Sequence, residues 1–163
     1  MSSECSVCRL PRASGECGAC GAALCKACGQ SPPPGSFELL PAIPPELAHR
    51  NYCPSCYDSR VEPALAGYGA TLERARDVDF WPKSYRGAIP VLRKGRERVS
   101  VADRRDRSEV LLALGFRAAE LGFNGLIDGE VSSRKVRNHG YQKMLWSGSA
   151  LPCEIDRSRL PEE

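Results

Sequence analysis

The chain holds 163 residues, room for one ordinary domain or two small ones, with a formal net charge of +3. No apolar run approaches the length of a membrane span, and Met1-Ser2-Ser3-Glu4-Cys5 has neither the basic lead nor the apolar core of a secretory signal. The expected setting is therefore the reducing cytoplasm.

The first segment, residues 1–62, is expected to form a metal-stapled module. Eight of the nine cysteines fall there as four Cys-x-x-Cys pairs: Cys5/Cys8, Cys17/Cys20, Cys25/Cys28 and Cys53/Cys56. The stretch is poor in large apolar residues and rich in Gly and Pro. Hydrophobic burial alone would not hold it, and small units of this kind need metal or disulfide staples. Residues 29–49 read as extended or polyproline loop, with Pro32-Pro33-Pro34-Gly35, a short apolar Phe37-Glu38-Leu39-Leu40 and Pro44-Pro45. A helix is expected after Cys56, carrying Tyr57, Val61, Leu65 and Tyr68, with Pro63 either breaking it or restarting it. Residues 63–77 then form a linker helix.

Residues 78–154 read as a second domain. Val78–Trp81 and Gly87–Leu92 look like short strands, followed by a charged loop from Arg93 to Arg105. Asp106-Arg107-Ser108-Glu109 has the form of a capping box. It opens a helix with Val110, Leu111, Leu114, Ala118 and Leu121 on one face, stopped by Gly122. Leu126–Val131 and Tyr141–Trp146 are strand-like, joined by a polar turn at Asn138-His139-Gly140, with the last strand continuing through Leu151. Residues 155–163 are expected to be a flexible tail. The fold class expected is small α+β, the second domain being one main helix on a small antiparallel sheet.

The ligand spacing is C-x2-C-x8-C-x2-C-x4-C-x2-C-x24-C-x2-C. Each pair aims two thiolates at one ion, so four pairs supply two closed Cys₄ sites, and the expected cofactors are two Zn²⁺. Disulfides, which require an oxidising compartment, and iron–sulfur chemistry are the rivals. The tight x4 step suits a cross-brace. Cys5, Cys8, Cys25 and Cys28 then form site 1, and Cys17, Cys20, Cys53 and Cys56 site 2. Sequential pairing, 5/8 with 17/20 and 25/28 with 53/56, is the alternative. Residues 1–66 carry five Lys/Arg against six Asp/Glu. Two Zn(Cys)₄ centres would bring that unit to about −5, which argues against a phosphate-gripping finger. His49, four residues before Cys53, reads as a surface histidine or one supporting the site, since eight cysteines already fill two sites. Cys153 reads as a buried small residue.

The phrases Cys17-Gly-Ala-Cys-Gly-Ala-Ala-Leu-Cys25-Lys-Ala-Cys28 and Asn51-Tyr52-Cys53-Pro-Ser-Cys56-Tyr57 resemble the FYVE/PHD/RING superfamily, and FYVE most. The resemblance covers roughly residues 5–62. It implies a cross-brace treble-clef zinc finger closed by a helix at the last knuckle. It does not extend to phosphatidylinositol 3-phosphate. The family's Arg/His-rich block around the third ligand is here Ala13-Ser14-Gly15-Glu16-Cys17-Gly18. Its WxxD element has no counterpart, and Arg50 lies one residue out of register with its Arg-x-Cys motif. PHD and RING domains place a His among the ligands, and neither His49 nor His139 stands at such a position.

Ala113–Ile127 and Trp146–Leu151 resemble the YbjQ-like family, whose members carry a heavy-metal-binding label and form homo-oligomers. The resemblance covers about residues 84–154. This domain offers no Cys/His cluster, so no ligand is carried over. Asp128 and Glu130 alternate on a strand, as the solvated face of a sheet would, and Ser132, Ser133 and His139 lack a nucleophile elbow. No catalytic residue is expected. Arg93, Lys94, Arg96, Arg98, Arg104, Arg105 and Arg107 form a basic run diluted by Glu97, Asp103 and Asp106. The function these readings favour is a non-enzymatic zinc-binding adaptor for another protein, with self-association through the second domain. A RING-like ligase component, or nucleic-acid or anionic-membrane binding through residues 93–107, are the alternatives.

Overall fold

The computed structural model describes residues 3–162. It is a small mixed α+β structure that divides into two compact units, Met1–Gly69 and Ala70–Glu163.

In the first unit, β1 (Gly15–Glu16) and β2 (Ala23–Leu24) pair antiparallel. A lone bridge ties Gln30 to Tyr52, and a 3₁₀ turn spans Pro45–Leu47. The short helix α1 (Pro54–Cys56) starts at the last knuckle with Pro54 at its first turn, where a missing N–H costs nothing. A π-helical turn over Tyr57–Val61 leads directly into α2 (Glu62–Arg76). This resolves Pro63. In a regular α-helix its ring would meet the carbonyl four residues back and leave that carbonyl without a donor. The widened turn, in which the Glu62 N–H reaches Tyr57 O, precedes it, and the helix runs on unbroken.

The core of this unit gathers Cys17, Leu24, Tyr52, Cys53 and Val61. Tyr52 is fully buried, yet its hydroxyl is satisfied: it donates to Glu46 O (2.9 Å) and accepts from the His49 N–H (3.0 Å). Phe37 is buried edge-on against Tyr68 at a centroid distance of 5.6 Å, so the loop it belongs to is anchored inward at that residue.

The second unit is organised by β7 (Tyr141–Ile155). One edge of β7 pairs along its length with β6 (Gly125–Asn138); the other is shared by β4 (Val91–Lys94) and β5 (Val99–Arg104). β3 (Asp79–Pro82) lies on the far side of β6. The β3–β6 pairing is parallel, so the sheet is mixed rather than wholly antiparallel. The intervening strands and helix supply the long crossover that a parallel pair requires.

Helix α3 (Arg107–Glu120) opens as expected, with the Asp106 carboxylate accepting the Glu109 N–H at 2.9 Å. The box is not reciprocal: Glu109 takes the Arg105 N–H at 3.0 Å instead. The helix stops at Gly122, whose φ of +81° is the left-handed value glycine adopts freely. Val110, Ala113, Leu114, Phe116, Ala118 and Ala119 are buried, but Leu121 is not. It caps the helix and is 57% exposed, so the apolar face ends one turn earlier than the spacing implied. Gly148 lets α3 approach β7 closely, since a Cβ there would stand 2.6 Å from Val110 Cγ1.

Two further expectations are corrected. The charged stretch from Arg93 is not a loop: it holds the end of β4 and all of β5, where Val101 turns into the core. The stretch from residue 155 is not a loose tail. Ile155 is buried within β7, the Asp156 N–H donates to Pro90 O, and Asp156 caps a 3₁₀ turn at Arg157–Arg159. Among the described residues no helix is long and apolar enough to cross a membrane.

Candidate metal centre

The four knuckles converge in interleaved pairs. Sulfurs of Cys5, Cys8, Cys25 and Cys28 all lie within 4.8 Å of one another, and so do those of Cys17, Cys20, Cys53 and Cys56. The local structure explains the convergence. Hairpin β1–β2 separates pair one from pair two, then delivers pair three beside pair one, with the Cys25 N–H reaching Cys5 Sγ at 3.4 Å. The Gln30–Tyr52 bridge and the start of α1 return the chain to pair two, and the Cys56 N–H meets Cys53 Sγ at 3.4 Å.

The spacing fits a metal and not a disulfide. Cys8 and Cys25 sulfurs are 3.8 Å apart, as are those of Cys20 and Cys53. A disulfide would bring two sulfurs to about 2.05 Å. A tetrahedral ion at about 2.3 Å from each thiolate sets an edge of about 3.8 Å. All nine cysteines are free. Each group of four can therefore hold one metal ion.

Without a cation the thiols share charge unevenly. Backbone N–H groups of Cys8 and Cys25 draw Cys5 down to about 6. Burial resists ionisation of Cys17, but N–H groups at Cys53 and Cys20 outweigh it and bring it to about 6. Cys28, hydrogen-bonded to Cys25, and Cys56, hydrogen-bonded to Cys53, are each pushed up to about 12. Each group thus has a sulfur ready to meet a cation and another that surrenders its proton only to one.

Arg12, which the cysteine pattern does not point to, faces the first group. Attraction to Cys25 and a hydrogen bond to Cys8 hold its guanidinium more firmly protonated. It lines a surface hollow with Ser14, Cys25, Lys26 and Ala27. The sole signal in the sequence is a basic residue within the x8 spacer. His49 joins neither group of four; its ring packs edge-on against Tyr52 at 5.7 Å. Cys153 is fully buried beside Ile127 and Ile155, and burial raises its thiol to about 11.

The basic run is dispersed by partners. Arg93 pairs with Glu154 at 3.3 Å and lies over the Phe123 ring, and Arg98 donates to Asp128 O and Ser149 Oγ. Arg105 pairs with Glu109 at 2.8 Å, and Arg104 is half-buried at the β5–β7 ladder. Lys94, Arg96 and Arg107 stand exposed. Asp128 and Glu130 do not form a carboxylate pair. A bulge interrupts β6 between Ile127 and Glu130, Asp128 takes a φ of +49°, and Glu130 is tied to Lys83 at 3.2 Å.

Compared with known family models, with curated proteins and with solved structures, the chain matches none.

Proposed function

We propose that the two four-cysteine groups bind two Zn²⁺ as structural ions, in a cross-brace treble clef of the FYVE-like kind, and that the protein is a non-enzymatic cytoplasmic adaptor. The observation that supports this reading is the 3.8 Å sulfur spacing in both groups, the edge of a zinc–thiolate tetrahedron. Four thiolates fill a tetrahedral ion, leaving no open position for substrate, so the zinc supplies folding free energy, on the order of 10 kcal/mol per site. The partner-binding surface is the groove of about 410 Å³ lined by Pro32, Pro33, Phe37, Ile43, Leu47 and His49. Ile43 is 43% exposed there and offers an apolar contact. The YbjQ-like second domain adds an interface for self-association.

Native mass spectrometry of the intact protein should give two zinc ions per chain, without the visible absorption of iron–thiolate centres. Capture of a protein partner from native lysate should depend on Ile43, and Ile43→Asp should abolish it while leaving the zinc content at two. Undiminished capture by that variant would remove the groove from the account.

A further inference from the structure

The β6–β7 hairpin outruns the sheet that carries it. β3 pairs with β6 no further than Gly129, and β5 leaves β7 at the Arg104–Trp146 pair. From Arg134–Leu145 to Asn138–Tyr141, among the described residues, the two strands pair with each other alone. At about 3.3 Å per residue this free ribbon extends roughly 15 Å. Its tip turns through His139 and Gly140, both at positive φ, the conformation of a tight hairpin.

The ribbon carries one sign of charge. No Asp or Glu occurs from Val131 to Cys153, whereas Arg134, Lys135, Arg137 and Lys143 all lie on the free part and are exposed. These four charges exceed the +3 of the whole chain and leave −1 for everything else. Cross-strand register puts Arg134 and Lys143 on one face and Lys135 and Arg137 on the other. Arg134 meets Asp103 at 3.1 Å, but both side chains are more than half exposed, and such pairs yield readily to a competing anion. Tyr141, 82% exposed, stands at the tip.

A narrow rod that is cationic on both faces matches a groove with phosphates on both walls. A flat bilayer would meet one face only. The major groove of B-form DNA, about 12 Å wide, admits a two-stranded ribbon, whereas that of A-form RNA is too narrow. We propose that the β6–β7 hairpin is a DNA-binding arm. It lies in the major groove of duplex DNA and holds phosphates on both walls through Arg134, Lys135, Arg137 and Lys143, without reading particular bases.

The test is fluorescence anisotropy of a labelled mixed-sequence duplex of about 30 base pairs, with the metal-loaded full chain, starting at about 50 mM salt. The logarithm of affinity should fall against that of salt with a slope of about −3.6, from four phosphates at roughly 0.9 each. Lys135→Gln with Lys143→Gln should weaken binding about tenfold or more and flatten the slope by about 2. Lys135→Arg with Lys143→Arg should preserve both, as should Arg93→Gln with Lys94→Gln. Circular dichroism and melting report whether the Gln variant is folded. If it is not, Lys143→Gln alone should flatten the slope by about 1. Absence of salt-dependent binding would overturn the proposal. So would an equal loss in the Arg93/Lys94 variant, or tighter binding to phosphatidylserine vesicles than to the duplex.

Discussion

Cys20 Sγ lies 3.8 Å from Cys53 Sγ although 33 positions separate them in the chain. This contact closes the loop that carries the Pro-rich stretch, and it joins the second knuckle to the fourth. With its counterpart, Cys8 to Cys25, it replaces much of the apolar core that the first unit lacks. If metal holds these contacts, removing it should unfold this unit while the second unit, with its own core around α3, keeps its structure. Titration with a strong chelator should abolish the near-ultraviolet signal of Tyr52 and leave that of Trp146. Cys20→Ser should act like the chelator on the first unit, whereas Cys153→Ser should leave the zinc content at two.

Acid should release the metal. Zinc binds thiolates, so each ligand releases a proton on binding, and affinity falls as pH falls. In the metal-free state Cys5 and Cys17 titrate at about 6, and Cys28 and Cys56 remain protonated up to about 12. Metal affinity should therefore fall as pH falls, and more steeply below about 6, where Cys5 and Cys17 also take up protons. A zinc-responsive dye followed during stepwise acidification measures this. Release that grows as pH rises from 6 to 8 would contradict it.

Cys153 should be chemically silent. Its sulfur is fully buried, and burial holds the thiol up to about 11. A disulfide-exchange reagent at neutral pH should leave it unmodified in the zinc-loaded protein and modify it once denaturant is added. Rapid native labelling would show that β7 opens around it.

Two substitutions probe the second unit by different routes. Asp106→Ala removes the carboxylate that accepts the Glu109 N–H, and should cost about 1 kcal/mol. Gly148→Ala places a methyl 2.6 Å from Val110 Cγ1, with Leu114 Cδ1 and Glu130 O also close, and should cost about 1–3 kcal/mol by overpacking. Denaturant midpoints should therefore fall in the order wild type, Asp106→Ala, Gly148→Ala. A neutral Gly148→Ala would mean that α3 shifts on the sheet at little cost.

Legibility in the sequence followed the range of the interactions. A Cys-x-x-Cys knuckle and the Asp106 cap are made within one turn of chain, and both could be read directly. The interleaving of the quartets was readable because the x4 step constrains which pairs can meet. The parallel β3–β6 pair was not, because Asp79 and Gly125 meet through a crossover that no local pattern records. β5 was hidden because only Val99 and Val101 alternate inward among arginines and aspartates. The outer half of β6, beyond Val131, was hidden for the opposite reason, although the turn and the start of β7 were legible. With both faces in water it has no apolar alternation to reveal a strand. Ile155 was misplaced in a tail because one buried side chain followed by charges leaves no periodicity.

The most direct test of the account is heteronuclear correlation between ¹¹³Cd substituted into the protein and the cysteine Hβ protons. Two cadmium resonances are predicted, one coupled to Cys5, Cys8, Cys25 and Cys28 and the other to Cys17, Cys20, Cys53 and Cys56. A resonance joining Cys5 and Cys8 to Cys17 and Cys20, or a protein that takes up no metal and shows the mass of paired cystines, would contradict it.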